Sequence, residues 1–139
     1  MTPLRLSTRG QYGLRAMCVL GLGHGDGYLP LRVIADQEGI SLQYLEQIFG
    51  ELRRAGLVES ERGARGGYRL ARDPSQITVG DVVRTLEGPI APVECLTGHE
   101  ECERAECCLT REAWHRLQQS MTEALDGITL AYLCRGKKE

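Results

Sequence analysis

The sequence predicts a mainly α-helical fold with a small β-hairpin and a long C-terminal helix. Three observations carry that expectation. Leu45, Ile48, Phe49 and Leu52 recur at the spacing of one helical face. Arg62-Gly63-Ala64-Arg65-Gly66-Gly67 separates two short runs of strand character. Trp114, Leu117, Met121, Ala124, Leu125 and Ile128 stand at offsets 0, 3, 7, 10, 11 and 14, close to a heptad seam. With 139 residues, 42% of them apolar and 26% charged, the chain has the balance of one folded domain plus an appended element. Aromatics are only 5%, so the core rests on Leu, Ile, Val and Ala.

Taken in order, Ser7 or Thr8 caps a first helix that runs to about Leu22, where the stretch Gly21 to Gly27 ends it. Leu31 to Glu38 reads as a short second helix stopped by Gly39. Ser41 caps a third helix that runs through Ala55 to a stop at Gly56. Two short helices joined by Gly39-Ile40-Ser41 have the spacing of a helix-turn-helix. Leu57 to Glu61 and Tyr68 to Leu70 read as the strands of a hairpin whose tip carries Arg62 and Arg65. A helix-turn-helix followed by a basic hairpin is a winged helix. Val79 to Leu86 forms a further helix capped by Thr78, and Thr110 caps the last one, which ends near Asp126. The chain thus divides into a winged helix-turn-helix DNA-binding domain (1–87), a cysteine-bearing loop (88–108), and a dimerisation helix with a tail (109–139).

The net charge of −2 would by itself argue against a nucleic-acid partner, but its distribution argues otherwise. Residues 1–73 hold ten Arg and eight acids, and residues 53–72 hold six Arg against two Glu. No apolar run is long enough to span a bilayer, and residues 1–17 lack the uninterrupted apolar stretch of an export signal. A cytoplasmic protein without membrane contact is expected.

Gln side chains hydrogen-bond base edges in the major groove, and Gln43, Tyr44 and Gln47 stand near the start of the third helix. Arg62 and Arg65 on the wing suit a narrow minor groove or a phosphate. Six cysteines are many for a chain with reduced thiols, and four of them fall within the 14 residues from Cys95 to Cys108. Thiolates suit iron–sulfur clusters, zinc or copper(I), and the gaps here are wider than zinc knuckles use. Because Cys107 and Cys108 are adjacent, one of them is expected not to ligate. Cys18 lies on an apolar helix stripe and reads as core, while Cys134 has no assignable role.

The segments LRLSTRGQYGLRAM, ISLQYLEQIFGELRRAGLVES, RGARGGYRLARDPSQITVGDVV and CLTREAW together resemble the IscR/NsrR/CymR family of bacterial winged-helix transcription regulators. The resemblance covers about residues 4–133. It implies a homodimer on promoter DNA and, in many members, an iron–sulfur cluster on three loop cysteines. Carried over by position, DNA contact falls on Ser41, Gln43, Tyr44, Glu46, Gln47 and Arg62, and the cluster cysteines on Cys95, Cys102 and Cys108. A two-iron two-sulfur cluster is expected, with four-iron four-sulfur as the alternative. Where some members place a ligating histidine this chain has Arg111, and where others place an acid it has Gln11; Cys107 and His99 are candidates for the open fourth position.

The expected function is therefore a transcription regulator, most simply a repressor, whose operator affinity follows the cluster. The segment RTLEGPIAPVE instead resembles the cysteine-metabolism branch of the family, and supports a cluster-free regulator that uses thiols or a partner enzyme of cysteine synthesis. An iron–sulfur carrier is the competing class, but the Arg-bearing hairpin has no purpose in one. No nucleotide-binding glycine motif or catalytic histidine set is present, so an enzyme is not expected.

Overall fold

The computed structural model describes residues 7–63, 66–92 and 105–135, without the side chains of 105–108. The order of elements is α1 (Thr8–Leu22), α2 (Leu31–Glu38), α3 (Leu42–Arg54), β1 (Val58–Glu61), β2 (Gly67–Leu70), a 3-10 turn (Pro74–Gln76), α4 (Val79–Glu87), α5 (Ala105–Asp126) and α6 (Leu130–Cys134). Among the described residues, no helix is long and apolar enough to cross a membrane.

The α3 stripe behaves as its spacing predicts: Leu45, Ile48, Phe49 and Leu52 have no exposed surface. They meet Met17 and Leu20 of α1, Ile34 of α2, Leu57, Leu70 from β2, and Val82 and Leu86 of α4. Full burial of one such side chain is worth roughly 1.5–3 kcal/mol. Gly39 closes α2 in the left-handed conformation with φ 69°, which lets the chain turn sharply into Ser41.

β1 and β2 pair antiparallel, with Val58 opposite Leu70 and Glu61 opposite Gly67. A third piece of chain joins them: Leu29 and Tyr68 exchange two backbone hydrogen bonds of 2.8 Å. Gly67 permits this approach, since a Cβ there would stand 2.2 Å from the Leu29 carbonyl oxygen. The wing is thereby sewn to the α1–α2 connection, a link the sequence did not announce.

The start of α1 differs from expectation. Ser7 is its N-cap residue, but its side chain makes no cap bond. Instead Glu87, at the end of α4, accepts from Ser7 N (2.9 Å), Ser7 Oγ (2.7 Å) and Gly10 N (3.1 Å) through one carboxylate oxygen. A carboxylate suits the positive end of a helix and its unpaired N–H groups. Gly10 and Gly13 admit α4 this closely, since Cβ atoms there would lie 2.4 Å from Glu87 Oε2 and 2.2 Å from Leu86 Cδ1.

α5 also departs from the expected boundaries. It starts at Ala105, so Thr110 lies inside the helix rather than capping it, and the cysteine-bearing segment ends within the helix. Ala105 and Glu106 favour a helix start, the latter by its charge in the first turn. The heptad seam is divided between two tasks. Met121, Leu125 and Ile128 pack on Val79, Val83 and Ile90, while Trp114 and Leu117 are 40% and 43% exposed. Arg84 grips Asp126 with two hydrogen bonds of 2.7 and 3.3 Å, which raises the arginine pKa further. Beyond α5, Val79 N donates to Ile128 O (2.8 Å) and Leu130 N to Ile77 O (2.9 Å), and Leu130 is fully buried.

Replacing Glu87 by Ala strands three donors and is expected to cost about 2 kcal/mol in urea unfolding. Glu87→Gln retains an oxygen without its charge and should cost about half of that. A Glu87→Ala variant as stable as the parent would show that this cap contributes nothing.

Candidate nucleic-acid interface

The buried stripe of α3 dictates which residues its other face offers. Gln43, Glu46 and Gln47, at relative positions i, i+3 and i+4, are all exposed. None of the three makes a hydrogen bond with a described residue, so their amide and carboxylate groups are available to a ligand. Amides can read adenine in the major groove, and a carboxylate can accept from cytosine. Ser41 holds the helix start, its Oγ accepting from Tyr44 N at 3.2 Å. Its exposed hydroxyl retains a proton to donate.

Tyr44 has a different part. It is half-buried, packs edge-on against Tyr12 with ring centroids 5.9 Å apart, and its hydroxyl lies 3.4 Å from Thr8 Oγ1. It therefore fixes α3 to α1. Sequence reasoning read Thr8 only as a helix cap; its place beside the start of α3 comes from packing across 36 residues.

Ion pairing sorts the arginines. Arg9 bonds Glu51, Arg15 lies 3.1 Å from Glu38, and Arg84 holds Asp126. Arg69, on the wing, donates to Glu59 at 3.1 Å and lies 4.5 Å over the Tyr28 ring, and the Glu59 bond raises its pKa. Arg62 is exposed at the hairpin tip and makes no ion pair with a described residue. Arg32, Arg53, Arg54 and Arg72 are likewise exposed and unpaired among the described residues. Exposed arginine charge is therefore available to a phosphate backbone despite the acidic total. Arg65 lies outside the described residues, as do Cys95, His99 and Cys102. Cys107 and Cys108 are placed by backbone only, in the first turn of α5.

A reading helix, a wing and a turn between helices are the parts of a DNA-binding head. The family described as "Iron-dependent Transcriptional regulator", Rrf2, matches residues 6–136. The chain belongs to the Rrf2 family. It is 46% identical over 127 residues to the HTH-type transcriptional regulator CymR of Bacillus subtilis, covering 91% of this chain and 87% of that one. It is 42% identical over 132 residues to the HTH-type transcriptional regulator IscR of Photobacterium profundum, covering 95% and 76%. The solved structure of CymR, described as the global cysteine regulator of B. subtilis, superposes with a TM-score of 0.82 at 44% identity, over 97% of this chain and 99% of that one. The protein is an Rrf2-type transcriptional regulator that binds DNA, and its relatives are regulators rather than enzymes.

Gln43→Ala should weaken binding to the preferred operator by roughly 1–3 kcal/mol while sparing non-specific DNA. Arg62→Ala should weaken both and lower the salt-dependence slope by about one. Fluorescence anisotropy across a salt series measures both effects. Unchanged operator affinity in the double variant, with the circular dichroism spectrum intact, would move the interface elsewhere.

Proposed function

We propose that this Rrf2 regulator is a cytoplasmic homodimeric repressor whose operator affinity is set by an iron–sulfur cluster. The proposed ligands are Cys95, Cys102 and Cys108, with Cys107 or His99 as candidates for the fourth position. The observation that supports sensing is continuity: the segment bearing four thiols runs directly into α5, the helix that packs on α4 of the DNA-binding head. This donor set fits the group, because closely spaced thiolates are the soft ligands that iron–sulfur clusters require. Cys107 and Cys108 occupy helix positions roughly 100° apart, which favours one of them, not both, as a ligand. When bound, a cluster supplies a charge that changes with redox state and iron supply. A two-iron two-sulfur cluster is the simpler reading of three thiolates and one other ligand.

The remaining roles belong to the chain itself. Trp114 and Leu117 form the exposed part of the α5 seam that a second protomer would cover. Two-fold pairing presents two α3 helices to two half-sites and so gives a palindromic operator. Gln43, Glu46 and Gln47 read bases there, Ser41 and Tyr44 support them, and Arg62 and Arg65 of the wing grip the flanking backbone or minor groove.

A second reading is a cluster-free regulator of cysteine metabolism, acting through its thiols or a partner enzyme of cysteine synthesis. The likeness to CymR over nine-tenths of the chain, at 46% identity, favours it.

Anaerobic purification with cluster assembly supplied, followed by iron and sulfide quantification, separates the two. The cluster reading expects stoichiometric iron and acid-labile sulfide, both lost in Cys102→Ala, and at least a tenfold difference in operator affinity between holo and apo protein. Absence of iron in the parent protein would transfer the assignment to the cysteine-metabolism reading.

A further inference from the structure

Two cysteines stand apart from the 95–108 cluster, and the fold brings them together across 116 residues. Cys18 lies on α1 and Cys134 closes α6, where the Cys134 Sγ donates to the Cys18 carbonyl oxygen at 3.5 Å. The two thiols are close enough to bias each other's ionisation. This meeting is built by several independent contacts. Leu130 anchors α6 in the core, Thr129 Oγ1 caps it by accepting from Tyr132 N at 3.0 Å, and Leu130 N is tied to Ile77 O. Gly21, one turn beyond Cys18, leaves the space that Cys134 enters: a Cβ at that position would lie 3.0 Å from its Sγ. Both cysteines are half-buried, neither is disulfide-bonded, and the DNA-reading surface uses neither.

We propose that Cys18 and Cys134 form a thiol–disulfide couple that exchanges with low-molecular-weight disulfides and covalently ties α6 to α1. The Cys134 thiolate attacks one sulfur of the small disulfide, whose S–S bond breaks, and a mixed disulfide forms. The departing thiolate takes up the proton that Cys134 released. Cys18 then gives its proton to solvent and attacks Cys134 Sγ, which expels the second small thiolate; that thiolate is protonated in turn. Two protein thiols are oxidised and one small disulfide is reduced to two thiols.

The order of attack follows from the surroundings. Burial, aided by the neighbouring Cys134, pushes the Cys18 thiol up to about 11. Burial also raises Cys134, but the neighbouring Cys18 thiol opposes that rise. Cys134 is thus the first to ionise, and Cys18 the one that resolves. Since both thiols sit above their ordinary range, the couple reacts slowly and answers a sustained disulfide load rather than a transient one. It uses none of the proposed cluster ligands and none of the proposed reading residues, so it stands or falls separately from the cluster reading.

The test uses the full-length protein, reduced and then incubated with oxidised glutathione, alkylated and digested with trypsin. Cleavage gives residues 16–32 and 117–135, each carrying one cysteine, so the cross-link is read as one peptide pair. The expected result is a 16–32/117–135 disulfide at least tenfold more abundant than any pair joining either peptide to the 95–108 thiols, and reversed by dithiothreitol. Cys18→Ser should halt at a glutathione adduct on Cys134, and Cys134→Ser should yield no adduct on Cys18. A second measurement covers variants that fold poorly: oxidation should raise the Tm of the parent protein and leave that of Cys134→Ala unchanged. Free, alkylated Cys18 and Cys134 under conditions that oxidise the 95–108 thiols would overturn the proposal, as would pairing of Cys134 with those thiols.

Discussion

One carboxylate holds the DNA-binding head in register. Glu87 ends α4 and, through a single oxygen, receives the start of α1, which brings the N-terminal end of the first helix against the C-terminal end of the fourth. That contact works beside the buried stripe of α3 in positioning the reading helix. With α1 seated, Tyr12 meets Tyr44, Arg9 meets Glu51, and Met17 enters the same core as Ile48 and Phe49. The residues proposed to read DNA sit on the outer face of the same helix. Their backbone is fixed by the stripe beneath them, and their side chains are left without internal partners among the described residues.

Much of this was legible before any coordinates. The periodicity of α3 named its buried and exposed faces, because a 3.6-residue period ties the two together. Ser41 capped where a Ser before an apolar run should, and Thr78 formed the full capping box with Asp81. The contacts that escaped the sequence are long-range ones. Glu87 at a helix end reads as an ordinary exposed acid until α1 is placed beside it. Leu29 lies in a glycine-rich connection with no strand pattern, and only Tyr68 shows that it pairs. The start of α5 was misplaced because Thr110 is a plausible cap, whereas helix propensity carried the helix back to Ala105. The arginines illustrate the same limit. Sequence singles out Arg62 and says nothing of Arg69, and only geometry shows Arg69 engaged by Glu59 and Tyr28 and Arg62 unpaired among the described residues.

The six cysteines divide by location. Four sit in the segment that leads into and begins α5, where thiols can meet a ligand. The other two were read singly, as core and as tail, since nothing in a linear pattern relates positions 116 residues apart. Folding joins them because α6 returns along α1. Ion pairs likewise join distant positions: Glu51 of α3 is committed to Arg9 of α1, while Glu59 of β1 is committed to Arg69 of β2.

The attachment of α5 has a mechanical consequence. Its 22 residues make a rod of roughly 33 Å. Among the described residues the rod is clamped over its C-terminal part, by the Gln118–Ile90 hydrogen bond, Met121, Leu125 and the Arg84–Asp126 pair. Such a rod is a cantilever. A sideways shift of about 3 Å at Ala105 corresponds to a tilt of only about 5° over that length. At the clamp this becomes sub-ångström travel with proportionally greater force. The lever therefore trades distance for torque, and delivers it to the helix whose last residue, Glu87, holds the head together.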